Sequence, residues 1–163
     1  TMSLECDTAA HLFSKLPRGD WKATLAYRPI PDQRSTGELL EYLSFCGIGG
    51  CTSALDGTWD RYRKAAERAK TMRPEDFPAA MERQKREIAE LLAPLTERDL
   101  ETRKAKNPLG TEMTLGLALL NMPSRWLTGY RMQLFLYGRS LGADVWTPDC
   151  WAGVSMEKPA KKA

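Results

Sequence analysis

The chain has one histidine, His11, and that scarcity excludes more than any other feature. A histidine-rich metal centre needs two or three imidazoles. A Ser-His-Asp or Cys-His device would have to run through His11, and a lone histidine on a helix is more often a surface or satisfied core residue. The four cysteines, Cys6, Cys46, Cys51 and Cys150, fall at irregular spacings with no Cys-x-x-Cys pair. That excludes a zinc ribbon or a thioredoxin-type motif. Free thiols are expected, and buried ones act as small hydrophobes. No run of about 18 apolar residues occurs, so no membrane span is expected. The first residues, Thr1 to Asp7, carry acids and no apolar core region. No signal peptide is expected, and the expected location is cytoplasmic. Period-two alternation is missing too, so no strand or hairpin is expected. Finally, charge of one sign is lacking. The net charge is +3, most of it from Lys158, Lys161 and Lys162 against Glu157. A nearly neutral body has no nucleic-acid footprint.

What the chain does have is helical periodicity. Its 163 residues, 42% hydrophobic and 28% charged, suit one globular domain that folds without disulfides or metal. Leu4 to Leu16 carries apolar residues at helical spacing and stops at Pro17-Arg18-Gly19-Asp20. Leu25 to Pro31 reads as an extended connector, because each proline biases its predecessor away from helix. Ser35 or Thr36 caps the next helix, with Glu38 placed to complete a capping box. Gly47, Gly49 and Gly50 interrupt that helix. Each glycine costs about 1 kcal/mol against alanine, so close helix packing or room for a ligand must justify them. Trp59 to Thr71 is a charged helix, read as a solvated face, with a phosphate or acidic-partner patch as the sharper alternative. Pro74-Glu75-Asp76 opens a helix with the stripe Phe77, Met81, Ile88, Leu91, Leu92 and Leu95. A polar link from Thr96 to Pro108 follows. Thr114 caps the last long helix, whose face runs Leu115, Leu119, Met122, Trp126, Tyr130, Gln133, Tyr137 and Leu141. Pro123 is expected to kink it and Gly142 to stop it. The pattern is all-α: a four-helix bundle with a long crossover connection over residues 1–148. Residues 149–163 form a C-terminal tail whose aromatics pack back and whose end, from Met156, is expected to be disordered.

Two stretches carry a family resemblance. One runs from Leu25-Ala26-Tyr27-Arg28-Pro29 through Ser35-Thr36-Gly37-Glu38-Leu39-Leu40-Glu41-Tyr42-Leu43. The other is Tyr130-Arg131-Met132-Gln133-Leu134-Phe135-Leu136-Tyr137-Gly138-Arg139-Ser140-Leu141-Gly142. Together they resemble the DinB-like (DinB/YfiT) family of helical bundles, and the order of helices matches from about residue 4 to 146. The resemblance implies that fold and a homodimer. The family's three histidines bind a divalent metal and would fall on Tyr42, Trp126 and Tyr130. An indole nitrogen only donates and a neutral phenol is a poor ligand. The expectation is therefore a divergent member with no metal and no cofactor.

The place left by those histidines is the candidate ligand pocket: Tyr42, Cys46, Trp126, Tyr130 and Gln133. Either aromatics fill it as core, or a cleft remains in which phenol and indole donors orient a small polar ligand. No catalytic residue is assigned, because Cys46 has no histidine partner to lower its pKa. The expected function is small-ligand binding or a stress-associated role without the family's metal chemistry. The alternative, by analogy with the family, is a thiol-dependent transferase or isomerase that uses the aromatic pocket.

Overall fold

Ser35 and Glu38 start the helix around which the molecule is built. The Ser35 hydroxyl accepts from the Glu38 amide at 3.2 Å, and the Glu38 carboxylate accepts from the Ser35 amide at 2.6 Å. This box satisfies amides that have no partner inside a helix. The helix, α3 (Thr36–Asp56), ends at Gly57, whose φ of 68° is left-handed. The computed structural model describes residues 1–159.

Before α3 come α1 (Met2–Ser14) and the short α2 (Trp21–Ala26). After it come α4 (Asp60–Ala69), a 3-10 turn at Pro74–Asp76 and α5 (Phe77–Leu92). Then follow α6 (Glu97–Thr102), the strands β1 (Lys104–Lys106) and β2 (Glu112–Thr114), α7 (Leu115–Leu119), a π turn (Leu120–Ser124), α8 (Arg125–Ser140) and α9 (Thr147–Trp151). The bundle is a ring of four: α1 packs on α5 and α8, and α3 closes the ring by packing on the same two. Leu12, Phe13, Leu39, Leu40, Leu43, Phe77, Met81, Leu127 and Leu134 fill the interior. Among the described residues the fold is all-α but for the two-strand ribbon. No helix among the described residues is long and apolar enough to cross a membrane.

Packing explains the glycines of α3. A methyl at Gly47 would lie 2.8 Å from Leu127 Cδ1 and 3.0 Å from Gln84 Oε1. At Gly49 it would meet Tyr62 at 2.7 Å, and at Gly50 it would meet Trp126 at 3.0 Å. Three different neighbours approach the backbone where side chains are missing. Gln84, fully buried on α5, accepts from the Gly47 and Ile48 amides and donates to the Leu43 carbonyl at 2.9 Å. Its amide stitches α5 to the middle of α3.

Several local expectations need correction. Leu25 and Ala26 are helical, not extended: Asp20 accepts from the Ala23 amide at 2.9 Å and caps α2. The polar link contains α6, capped by Thr96 and Asp99, a box in a stretch with too little apolar periodicity to read as helix. A hairpin is present. Asn107 Oδ1 accepts from the Leu109 and Thr111 amides, Gly110 takes a φ of 81°, and β1 pairs antiparallel with β2. Strands of three residues are too short to show alternation. Pro123 sits in a π turn, which opens the helix where the proline has no N–H to donate. The division at 148/149 falls inside α9, which packs on α1 and α8. In the stretch expected to be disordered, Trp146 Nε1 donates to the Met156 carbonyl and Lys158 pairs with Asp144; residues 160–163 lie outside the described residues.

Candidate functional site

Tyr42 projects from α3 and Tyr130 from α8, and their rings meet edge to face, centroids 4.6 Å apart. Trp126, one turn before Tyr130, does not stack on Tyr42. Tyr62 of α4 lies between them: its ring is 6.2 Å from Trp126 and its hydroxyl donates to the Tyr42 hydroxyl at 3.4 Å. Phe45 contacts both Tyr42 and Tyr62 at 5.3 Å, and Trp59 closes the group against Tyr62 and Trp126. Three helices thus contribute one aromatic cluster. Sequence reasoning missed Phe45, Trp59 and Tyr62. Phe45 is three residues after Tyr42, and Trp59, the residue just before α4, is three before Tyr62 on a helix whose charges mask an inward face.

A cation covers this cluster. The Arg34 guanidinium lies 4.3 Å from the Tyr42 ring centroid and 5.3 Å from that of Tyr130, within cation–π range. Arg34 directly precedes the cap residue of α3, in the connector, and the connector is held from below. The Tyr137 hydroxyl donates to the Arg34 carbonyl at 2.9 Å, and Gln133 Nε2 donates to that hydroxyl at 2.6 Å. Arg28 ties the connector to itself and to the helix, reaching the carbonyls of Pro31 and Gln33 and the Glu38 carboxylate. Arg34 has no carboxylate partner among the described residues.

Beside Arg34 lies an open cleft of about 780 Å³, whose walls include Tyr42, Phe45, Gln133, Asp32 and Glu41. Of the five expected pocket residues, Tyr42 and Gln133 line it. Tyr130 backs Arg34, Trp126 sits deeper in the cluster, and Cys46 is fully buried in the core. Burial pushes the Cys46 thiol well above its ordinary value. The same cause pushes up Cys150 and takes Cys6 and Cys51 to about 12. All four are free, buried thiols, with little thiolate at neutral pH.

The donor set does not suit a divalent ion. Burial, with the Tyr62 hydrogen bond and Cys46 acting the same way, holds the Tyr42 phenol far above its usual pKa, so it stays protonated and ligates poorly. Trp126 offers no lone pair, and Arg34 puts a positive charge over the rings. Among the described residues no group of three His, Cys, Asp or Glu side chains could hold a metal. His11 lies elsewhere, its Nε2 2.7 Å from Asp149 Oδ1 where α1 meets α9.

No family profile and no curated protein matches the chain. Among solved structures, it is similar to the crystal structure of a DinB-like protein, YjoA, from Bacillus subtilis. The TM-score is 0.66 at 18% identity, over 90% of this chain and 92% of that one. A likeness at that identity speaks to architecture: the fold of this chain is that of a DinB-like protein.

Proposed function

We propose that this protein binds a small hydrophilic molecule in the Arg34 cleft and performs no metal chemistry there. The observation that carries the reading is Arg34: a guanidinium laid on two rings, anchored through its own carbonyl, and lining an open cleft with no carboxylate partner among the described residues. Its fork of donors suits a planar acceptor such as a carboxylate or carbonyl pair. Asp32 and Glu41 line the same cleft and make no ion pair among the described residues, so the ligand carries donors as well as acceptors. That favours a polyfunctional polar molecule over a simple anion. With every cysteine buried and His11 engaged by Asp149, binding is a better reading than nucleophilic catalysis.

Native mass spectrometry on protein purified without chelator tests this. An organic adduct that Arg34→Ala abolishes is the expected result. A mass increment matching a metal overturns the donor argument, and a bare polypeptide that no hydrophilic metabolite stabilises against heat overturns the binding reading. The same spectrum tests whether the protein is a homodimer, for which the exposed Leu117 and Leu120 offer apolar surface.

A further inference from the structure

On the other side of α4 lies a second cleft, of about 650 Å³, between α3, α4 and α5. Its floor is apolar: Ile48 from α3, Ala65 from α4 and Leu91 from α5. Its rim is charged. Arg61, Lys64 and Arg68 lie along one face of α4, opposite Glu87 and Glu90 of α5. Most of these charges cancel internally. Arg61 grips Asp56 through two hydrogen bonds of 2.5 and 2.6 Å, and Arg68 reaches Glu87 at 3.3 and 3.5 Å. Arg83 adds a second cation to Glu87 at 3.9 Å. Lys64 and Glu90 are what remain. They line the two walls of the cleft and pair neither with each other nor with any described residue. A solvated face would not need an apolar trough between its two unpaired charges.

We infer that this cleft is a binding site for an amphipathic zwitterion, of which an apolar α-amino acid is the simplest case. Its carboxylate meets Lys64, its ammonium meets Glu90, and its side chain covers Ile48, Ala65 and Leu91. A simple anion would be repelled by Glu90 and a simple cation by Lys64. Only a molecule carrying both charges uses both walls, and only one with an apolar part uses the floor. The inference stands independently of the Arg34 cleft, which is polar on most of its wall and lies on the opposite side of α4.

Leucine, leucinamide and N-acetyl-leucine are the probes, titrated by calorimetry and by amide chemical shifts. Leucine is expected to bind at one site per chain, with leucinamide and N-acetyl-leucine each at least about tenfold weaker, which is about 1.4 kcal/mol. Lys64→Gln should weaken leucine but tighten leucinamide, which has no carboxylate to lose and is freed of a like charge. Glu90→Gln should weaken leucine but tighten N-acetyl-leucine, which has no ammonium to lose and is freed of a like charge. Both residues are exposed, so neither change threatens folding, and Arg34→Ala should leave all three titrations as they were. The inference is overturned if leucine gives no saturable binding. It is equally overturned if N-acetyl-leucine or leucinamide binds as well as leucine, which would make the cleft a plain ion site.

Discussion

Two arginines, Arg131 and Arg34, show how one side chain serves opposite purposes in the same bundle. Arg131 is 1% exposed and held on three sides: its Nε donates to Glu5 at 2.7 Å, one terminal nitrogen donates to the Cys150 carbonyl at 2.6 Å, and its central carbon lies 4.9 Å from the Trp151 ring centroid. It joins α1, α8 and α9 through one buried cation. Arg34 is solvent-exposed, rests on two rings, gives one donor to the Tyr130 hydroxyl at 3.5 Å, and lines a cleft. A buried charge persists only where partners replace its water. A charge kept at the surface, stacked and unpaired, is free to take a ligand.

The largest expected effect therefore belongs to the Arg131 side. Glu5→Ala strands a buried guanidinium and should cost about 3–5 kcal/mol, read as a lowered urea midpoint. Replacing both partners, as in Glu5→Leu with Arg131→Met, should recover much of that loss, because the cost lies in the unpaired charge rather than in the pair. A double variant as unstable as the single would show that Arg131 matters through its bond to the Cys150 carbonyl instead.

Next in size is Gly47→Ala. Its methyl would press on Leu127 and on the Gln84 amide that bridges α3 and α5, and overpacking of this kind costs about 1–3 kcal/mol. Gly57→Ala, strained by its φ of 68° though no atom lies near its missing methyl, separates backbone strain from packing.

These two sites mark how far the sequence could be read. The periodicity of α1, α3, α5 and α8 is visible because each buries one stripe, and Ser35 with Glu38 announces the start of α3 at fixed spacing. The late motif contains Arg131, yet nothing local reveals that it is buried. Its partner Glu5 lies 126 residues away, and pairing over that distance exists only once the bundle closes. The family resemblance set Tyr42, Trp126 and Tyr130 together; the rings of Tyr42 and Tyr130 meet, while Trp126 reaches Tyr42 only through Tyr62. Tyr62 was not legible, since the charges of α4 hide its inward turn, and Arg34 was not, since a connector residue has no periodicity to place it.

Asp149 gives a smaller, pH-dependent test of the Arg131 region. Burial raises its carboxyl pKa, but the His11 bond and the Trp146 amide outweigh that and leave it below its ordinary 3.8. A depressed carboxylate contributes stability that is present above 3.8 and lost as pH falls through its lower folded value. Asp149→Asn should therefore narrow the gap between urea midpoints measured at pH 7 and at about pH 3. An unchanged gap would place the acid sensitivity elsewhere, with Glu38 the next candidate, since the Ser35 amide holds its carboxyl low.

Arg34→Ala should have the smallest effect on stability, because an exposed cation–π contact contributes only about 0.5–1 kcal/mol. Tyr137 and Gln133 hold the Arg34 carbonyl and not its side chain, so the connector should keep its path without the guanidinium. Ligand retention should fall away even though the melting temperature barely moves. The contrast between the two arginines rests on that separation: unpairing Arg131 destabilises the bundle, and removing the Arg34 side chain empties a cleft. Should Arg34→Ala destabilise the fold as much as Glu5→Ala does, then Arg34 is a structural lid on the aromatic cluster. The cleft beside it would lose its claim to a ligand.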